Sequence, residues 1–416
     1  MSLTLLPPAT RPVAPVPRDR FIDVLRVFGM VLVVVQHWTM PVLAYADGRI
    51  TTGNALAAIP LVTWVSQVMP LVFFAGGAAN AISFRKSPDG WVGRRLARLA
   101  WPVVPLALVW VPVPYLLVAL GVPEQPVQVG ARLAGQLLWF LAVYLLAVVA
   151  TPYLIRARAG VVLPVLGGGA VAADAVRFAG FEGAGYLNVV FVWLAVHQIG
   201  FRYAEGRLAW LSGRRAWALA GAGFGLVAAV VAAGPYPVSM IGMPGAVSNM
   251  APPSAVLLAL FAGQLGLAMA LRPALDRLVA RPRPAALLAA LAPRMMTIYL
   301  WHMPALLAVA GVSVVGLGRR TPEFGSAAWL ALTPLWLACL AAVLAALVRL
   351  FGRYEEPRGT CDGLVPVRVA LVGAALTVLT VTGFQPGPLP VLAAAALALA
   401  LVPGPVRRPA AARPRR

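Results

Sequence analysis

Long apolar runs recur along the whole of this chain and constrain its fold more than any other feature. A helix of about 20 apolar residues, rising 1.5 Å per residue, crosses the roughly 30 Å hydrocarbon core of a bilayer. Charged residues make up only 11% of the 416 residues, against about 25% in soluble domains. Transmembrane barrels need short alternating strands, and the chain shows none. The sequence therefore predicts an all-α, polytopic transmembrane helical bundle.

About twelve spans are predicted, because Pro, Gly and charged residues interrupt the apolar pattern between them. The last two spans are short and can instead form one re-entrant hairpin. A disordered Pro/Arg-rich tail is expected at residues 1–20 and a basic tail at 404–416. The predicted spans are approximately 21–43, 56–82, 99–121, 134–155, 160–178, 186–204, 215–234, 253–272, 295–317, 327–351, 367–384 and 387–403.

The formal net charge of +21 follows membrane topology and does not indicate a nucleic-acid partner. All but one of the 34 basic residues are arginines, and most lie in the even-numbered loops and the two tails. Because positively charged loops stay in the cytoplasm, both termini are predicted to be cytoplasmic. The odd-numbered loops hold few arginines, namely Arg49, Arg132, Arg177, Arg319 and Arg320.

Cysteine and histidine usage gives no sign of a metal site or a disulfide. The two cysteines, Cys339 and Cys361, fall in a predicted span and a predicted cytoplasmic loop. Cytoplasmic cysteines rarely pair, and no C-x-x-C or His/Cys cluster is present. No metal is therefore expected.

The first predicted span carries three ionisable residues, Asp23, Arg26 and His37. Such residues are costly in hydrocarbon and mark candidate functional sites. The eleven residues from Arg26 to His37 advance about three turns plus roughly 20° and rise about 16 Å, so both share one face. His37 suits a general base, although a histidine hydrogen-bonded between helices fits equally well. Asp23, one turn before Arg26, can pair with it, and a structural ion pair is the alternative role for both.

An arginine pair, Arg95 and Arg98, precedes the third span on one helical face. Guanidinium groups bind phosphate bidentately, so the pair suits a nucleotide-like phosphate at the cytoplasmic interface. Positive-inside anchoring of the span is the stronger reading of these two residues alone.

Three further segments are distinctive. The small-residue block 69–80 favours close helix packing. The segment 138–141 contains Trp139, and packing is its default interpretation. The segment 297–304 contains His302, which this topology places toward the cytoplasmic side, far in depth from His37.

These motifs, in this order, resemble the acyltransferase 3 family of membrane O-acyltransferases. The resemblance spans roughly residues 18–360. It departs from the family at Ala75–Ala78, where a Ser-Gly pair is usual. The motifs that carry it are Arg26-x10-His37, Pro70 to Gly77, Arg95-x-x-Arg98, Leu138-Trp139-Phe140-Leu141, Tyr299 to Pro304, and Tyr354-Glu355-Glu356-Pro357.

The resemblance implies a ten-helix acyltransferase core, assigned to residues 21–360, followed by two extra hydrophobic segments in 361–403. It implies transfer of an acyl group, expected to be acetyl, from acyl-CoA to a hydroxyl. His37 corresponds to the family's essential histidine and Arg26 to its first-helix arginine, with Asp23 grouped with them as catalytic. Four residues are assigned to donor binding: Arg95, Arg98, Trp139 and His302.

The resemblance leaves the acceptor open among envelope carbohydrates, lipid-linked glycans and small molecules such as macrolides. The expected partners are membrane lipid, acyl-CoA and this acceptor, at the cell membrane of a bacterium, since the Arg- and Ala-rich composition is typical of a high-GC genome. Oligomeric state is not determined. A secondary transporter, a lipid-handling protein or a structural partner in an envelope-synthesis complex are the alternatives.

Overall fold

The computed structural model describes residues 19–243, 247–356 and 363–402. The predicted tails lie outside these described residues, except that Asp19 and Arg20 belong to the start of the first helix; Pro357 and Cys361 also lie outside. The structure is 76% helical with almost no sheet, which confirms the predicted all-α bundle.

Seventeen α-helices and one two-stranded hairpin make up the described chain. The first part contains α1 (Arg20–Thr39), β1 (Pro41–Ala46), β2 (Arg49–Asn54), α2 (Thr63–Ser66), α3 (Met69–Lys86), α4 (Trp91–Ala100), α5 (Val103–Trp110), α6 (Val113–Ala119), α7 (Glu124–Gln136) and α8 (Leu138–Leu154). The second part contains α9 (Ala159–Phe178), α10 (Asn188–Ala204), α11 (Gly213–Ala233), α12 (Val256–Val279), α13 (Pro282–Leu291), α14 (Met295–Ala310), α15 (Ala327–Phe351), α16 (Val365–Thr382) and α17 (Pro388–Ala400).

Helix α1 begins at a capping residue and ends before a proline. The Asp19 carboxylate accepts hydrogen bonds from the backbone N–H groups of Phe21 and Ile22, at 3.1 and 3.3 Å, which satisfies donors that a helix start leaves free. Met40 still has helical φ and ψ (−72° and −40°), but Pro41 has no backbone N–H to continue the helical hydrogen bonding. The chain turns there into β1, so the prediction of a span continuing to residue 43 was wrong.

The antiparallel hairpin of β1 and β2 was not predicted from the sequence. Its two-residue turn, Asp47-Gly48, has positive φ at both positions (50° and 73°), as the tight turns that match strand twist require. Asp-Gly between short β-compatible segments is a recognised hairpin signal. It was not recognised because the apolar pattern of the first predicted span continues into β1.

The bundle has two chemically different ends. At the hairpin end, the connections between helices bind to β1, β2 and one another. Thr321 donates from its backbone to Leu43 O at 2.8 Å, and Gln125 accepts from the Ile50 backbone at 2.8 Å. Trp64 donates to Val238 O at 2.8 Å.

At the opposite, arginine end, one carboxylate binds arginines from α3, from α10 and from the turn that follows α10. Glu205 lies 2.7 Å from Arg85, 2.8 Å from Arg202 and 3.3 Å from Arg207. Burial raises the pKa of Glu205, but hydrogen bonds and charge from Arg202 and Arg85 outweigh it and leave that pKa below its ordinary value. The structure therefore separates the same two sets of loops that the arginine pattern separated.

Within the described residues, eleven helical segments are long and apolar enough to cross a membrane, one fewer than predicted. The twelfth, predicted at 387–403, corresponds to α17, which has only 13 residues. At 1.5 Å per residue such a helix extends about 20 Å and falls short of a bilayer core.

The interface between α3 and α10 lies at the centre of the bundle and depends on glycine. A Cβ at Gly77 would lie 2.1 Å from His197 O, and one at Gly200 would lie 2.3 Å from Phe74 O. The two backbones therefore approach as closely as small residues allow. Close packing is what the sequence predicted for this block.

The two C-terminal helices pack on the core. Helix α16 lies against α7 and α8, and α17 lies against α5. Gly383, with φ of 63°, sits where a Cβ would lie 2.4 Å from the Arg132 Cα. The next residue, Phe384, donates its backbone N–H to Ala131 O at 2.9 Å.

Substitution Gly77→Leu is expected to lower the free energy of unfolding by roughly 1–3 kcal/mol or more, because overpacking forces two backbones apart. The matched control is Gly168→Leu, a helical position where a Cβ meets nothing within 4 Å. Thermal unfolding of both purified variants in one detergent measures the difference. Equal melting temperatures for the two variants would contradict the proposed close contact.

Candidate functional site

A large cavity opens at the hairpin end of the bundle. Its volume is about 1230 Å³, and His37 forms part of its wall. Helices α1, α7, α10 and α14, both strands and the loop 234–255 contribute much of the lining, and residues of α2, α3, α5, α6, α8 and α16 also line it. Ligand pockets commonly measure about 300–1,000 Å³, so this one has room for a substantial molecule.

His37 contacts a second histidine, His302, from α14. Their Nδ1 and Nε2 atoms lie 2.9 Å apart, and the rings stack at a centroid distance of 5.2 Å with planes 9° apart. His302 is fully buried, whereas His37 is only partly buried at the cavity wall. Nδ1 of His302 lies 2.5 Å from Tyr299 O.

This geometry fixes the tautomers of two neutral imidazoles. Tyr299 O can only accept, so His302 Nδ1 carries its proton and His302 Nε2 is left as an acceptor. His37 Nδ1–H then donates to His302 Nε2. His37 Nε2 therefore keeps a free lone pair, as a general base requires.

Neighbouring hydrogen bonds hold the two histidine-bearing helices in register. The Trp38 indole N–H donates to His302 O at 2.9 Å, which joins α1 to α14 beside the ring contact. The Tyr299 hydroxyl donates to Leu137 O, at the junction of α7 and α8. Both bonds lie beside the imidazole pair and oppose sliding of α14.

Glu355 caps α14 and was not recognised as a site residue from the sequence. Its carboxylate accepts the backbone N–H of Met296 at 2.8 Å and that of Thr297 at 2.9 Å, and also the Thr297 hydroxyl. A carboxylate at a helix N-terminus satisfies free donors and complements the helix dipole. The Tyr354-Glu355-Glu356-Pro357 motif was the available signal, and Glu355 lies in its described part.

The prediction that His302 and His37 lie at different depths was wrong. It assumed a span beginning at residue 295, but the apolar helical segment runs from Pro282 to Gly316. His302 is thus 20 positions into its segment, and His37 is 17 positions beyond Arg20. The earlier start of the segment brings the two rings together.

Asp23 and Arg26 form the predicted ion pair at the arginine end. Their charged atoms lie 3.7 Å apart, and the Arg26 side chain is 34% exposed. Helix α1 is continuous from Arg26 to His37, so about 16 Å of helix separates them. Neither Asp23 nor Arg26 lines the cavity that contains His37.

Arg95 and Arg98 lie in α4, near the arginine end. Arg95 donates to Ser83 Oγ at 2.8 Å and Ala79 O at 3.3 Å, and its guanidinium lies 5.4 Å from the Trp91 ring centre. These three partners are neutral. Arg98 is exposed, and its charge, like that of Arg26, acts on Arg95. Three cations therefore share one region, within which Arg95 is held by uncharged groups.

Trp139 lies in the cavity wall, within a group of packed aromatic rings. Its ring is 6.2 Å from that of Trp193, which stacks on Phe73 at 4.6 Å. Phe73 in turn lies 6.1 Å from Tyr144. Trp139 and Trp193 line the cavity, whereas Phe73 and Tyr144 lie behind them, and the Tyr144 hydroxyl donates to Asn80, the residue after the Ala79 carbonyl that Arg95 binds.

The loop 234–255 is fastened to α9 by the residues Asp174 and Arg177. Asp174 accepts from the Tyr236 hydroxyl at 2.9 Å and from the Ala255 backbone at 2.6 Å. Arg177 donates to Ser248 O at 3.0 Å. Burial and the Asp174 charge raise the pKa of Tyr236, so this hydroxyl stays protonated as a donor. Each residue thus holds a different part of one cavity wall.

Isotope labelling tests the tautomer assignment directly, because the chain has three histidines. In ¹⁵N-histidine-labelled protein, we expect His37 and His302 each to show a protonated Nδ1 and an unprotonated Nε2. The variant His302→Phe should remove the acceptor of His37 Nδ1–H and mix the His37 tautomers. Solid-state NMR of the two proteins measures this. A protonated Nε2 on His37 in the unmutated protein would contradict the assignment.

One comparison with known proteins gives a match. A family model described as an acyltransferase domain, Acyl_transf_3, matches residues 19–352. No curated protein and no solved structure matches the chain.

Proposed function

The chain belongs to this acyltransferase family and is a multi-pass membrane protein, and from that premise we propose that it transfers an acyl group from acyl-CoA to a hydroxyl, with His37 as the general base. One observation carries the proposal. His37 lines a cavity and is hydrogen-bonded to His302, so that a free imidazole nitrogen remains on His37.

The proposed reaction is a direct transfer. His37 Nε2 takes the proton of the acceptor hydroxyl as that oxygen attacks the thioester carbonyl carbon. The new C–O bond forms, the C–S bond breaks, and the departing thiolate takes the proton from the imidazolium. During this cycle His37 Nδ1–H stays bonded to His302, which keeps the ring oriented and spreads the positive charge.

The donor headgroup is assigned to the arginine end. Arg95, Arg98 and Arg26 concentrate positive charge there, and guanidinium groups bind phosphates strongly. Since about 16 Å of helix separates Arg26 from His37, Arg26 belongs to headgroup binding in this proposal and not to oxyanion stabilisation.

A path for the acyl arm of the donor leads past Tyr144. The residue before it, Val143, lines the cavity, and the Tyr144 ring fills the space beside Gly76, where a Cβ would lie 2.5 Å away. On the other side, the Tyr144 hydroxyl donates to Asn80 Oδ1 at 3.4 Å, and Arg95 donates to the carbonyl of the preceding residue, Ala79, at 3.3 Å. Displacement of this one ring would open a route from the arginines toward the cavity.

The proposed orientation places the arginine end in the cytoplasm of a bacterial cell membrane, with both termini on that side. Donor then arrives from the cytoplasm, where acyl-CoA is made, and acceptor arrives from the outer side or the bilayer. The expected donor is acetyl-CoA. Only the acyl group crosses the bundle.

His37→Ala should abolish CoA release in the presence of acceptor, because no other group replaces the base. His302→Gln should lower kcat by about 10-fold or more, with KM for the donor nearly unchanged, since it disturbs only the orientation of His37. Thiol release from acetyl-CoA by purified protein in nanodiscs measures both.

His197→Gln is the matched control, since this third histidine is buried against Asn80 at 3.1 Å and does not line the cavity. It should retain most of the turnover. Full activity of His37→Ala would refute the assignment of His37 as the general base. Solute transport by the unmutated protein without thiol release would favour a transporter.

Arg95→Ala combined with Arg98→Ala should weaken donor binding by about 100-fold, because each charge-assisted phosphate contact contributes roughly 1.5–3 kcal/mol. Titration with radiolabelled CoA measures the change. Arg156→Ala, at a solvent-exposed position of the same end, is the control. An unchanged Kd for CoA in the double variant would contradict donor binding by Arg95 and Arg98 and would favour membrane anchoring as their role.

A further inference from the structure

The wall of the cavity carries no charged side chain within the described chain. Valine, leucine and proline are its most frequent residues, and its polar members are neutral. Burying an unpaired charge in such surroundings is strongly unfavourable. An anionic sugar or a phosphate therefore has no counter-charge in this cavity. The polar members are Gln36, His37, Thr52, Asn54, Ser66, Gln67, Gln136, Tyr186 and Thr380 with the Tyr299 ring and the Trp indoles.

The cavity also reaches the apolar outer surface of the bundle. Val312 and Val381 both line it, yet they are 66% and 72% exposed. Val312 belongs to a π-helical turn, Gly311–Gly316, that continues α14. Exposed apolar side chains on membrane-spanning segments face lipid, so this opening faces the bilayer.

Two buried polar groups in the wall have no hydrogen-bond partner among the described residues. They are the Ser66 hydroxyl and the Trp193 indole N–H, in residues only 9% and 0% exposed. Buried polar groups are normally satisfied, and an unsatisfied one costs about 1–3 kcal/mol. Both atoms have almost no accessible surface, so they lie behind the wall's surface and a molecule bound in the cavity does not reach them.

We propose that the acceptor is an uncharged amphiphile with a hydroxyl group and a long apolar body, entering the cavity from the bilayer. This inference rests on the proposed function for its hydroxyl chemistry. The apolar body lies against the wall beside α7 and the π-helical turn, and the hydroxyl meets His37.

The competing occupant is a long acyl chain carried by the donor itself. The lateral opening disfavours it, because a donor that arrives from the arginine end needs no opening to the bilayer, whereas an acceptor dissolved in the bilayer does. The experiment below separates these occupants.

Three glucosides distinguish the acceptor classes in nanodiscs with acetyl-CoA. Octyl glucoside, used below its micelle concentration, combines a neutral sugar with an apolar chain. Methyl glucoside keeps the sugar and removes the chain, and octyl glucuronide keeps the chain and adds a charge. We expect kcat/KM for octyl glucoside to exceed those of the other two by at least 10-fold.

A substitution at the opening gives a second readout. Gly311 lines the cavity and a Cβ there meets nothing within 4 Å, so Gly311→Leu narrows the opening without a clash. It should lower octyl glucoside turnover at least 5-fold. Gly168→Leu, equally open but outside the lining, is the control and should match the unmutated protein.

Photolabelling makes the inference independent of turnover. An octyl glucoside with a diazirine in its chain should label α7 and residues 311–316, and excess unlabelled octyl glucoside should compete. Labelling spread evenly over lipid-facing helices, or equal turnover of all three glucosides, would overturn the inference. Labelled cavity walls without any thiol release would overturn the proposed function alone, and preference for decanoyl-CoA over acetyl-CoA with no glucoside preference would assign the cavity to the donor chain.

Discussion

The contact between His37 and His302 is the interaction on which the rest of this site depends. It joins the first and the fourteenth helices of the chain through two rings 2.9 Å apart at their nitrogens. Because a backbone carbonyl can only accept, the bond from His302 Nδ1 to Tyr299 O fixes which nitrogen of His302 carries the proton. The bond between the two rings then fixes the tautomer of His37. The Tyr299 carbonyl of α14 thus sets the tautomer of the buried His302 ring, and His302 sets that of His37, the proposed base at the cavity wall.

Several features that otherwise look unrelated keep the hydrogen bonds between Tyr299, His302 and His37 aligned. Glu355 fixes the start of α14, Trp38 fixes its middle against α1, and Tyr299 ties it to α8. Each bond replaces water for a polar group in a membrane-embedded bundle, where unsatisfied donors and acceptors are costly. The small-residue contact of α3 with α10 then lets the remaining helices close around the pair.

The two ends of the bundle divide the proposed reaction between them. Arginines gather at one end, and a neutral, apolar cavity opens at the other. A negatively charged donor and an apolar acceptor would therefore be drawn to opposite ends by different forces, electrostatic attraction and the hydrophobic effect. In the proposed reaction, the aromatic rings between the two ends would keep water from the thioester.

Much of this organisation could be predicted from the sequence. Apolar length gave the bundle, arginine spacing separated its two ends, and helical periodicity paired Asp23 with Arg26. The partner of His37 could not be predicted that way, because 265 residues separate it from His302 and only packing determines which helices meet. The depth of His302 was misjudged because the proline-containing helix α13 precedes the expected span. The hairpin of β1 and β2 was missed because apolar residues continue past the end of α1.

The unsatisfied groups in the cavity wall were equally invisible in the sequence. Serine and tryptophan are common in membrane spans, and nothing in their local pattern distinguishes Ser66 or Trp193. Only burial without a partner does so, and burial is a property of the folded bundle. Local patterns therefore located the candidate base, while the groups around it required the tertiary structure.

A cryo-EM structure with a ketone analogue of acetyl-CoA, in which carbon replaces the thioester sulfur, tests the central claim most directly. The account predicts the nucleotide phosphates at Arg95 and Arg98, the arm passing a displaced Tyr144, and the ketone carbon about 3–4 Å from the space beside His37 Nε2 where an acceptor oxygen would sit. A headgroup bound at the hairpin end, or a ketone that remains on the arginine side of the aromatic rings with Tyr144 unmoved, would contradict it.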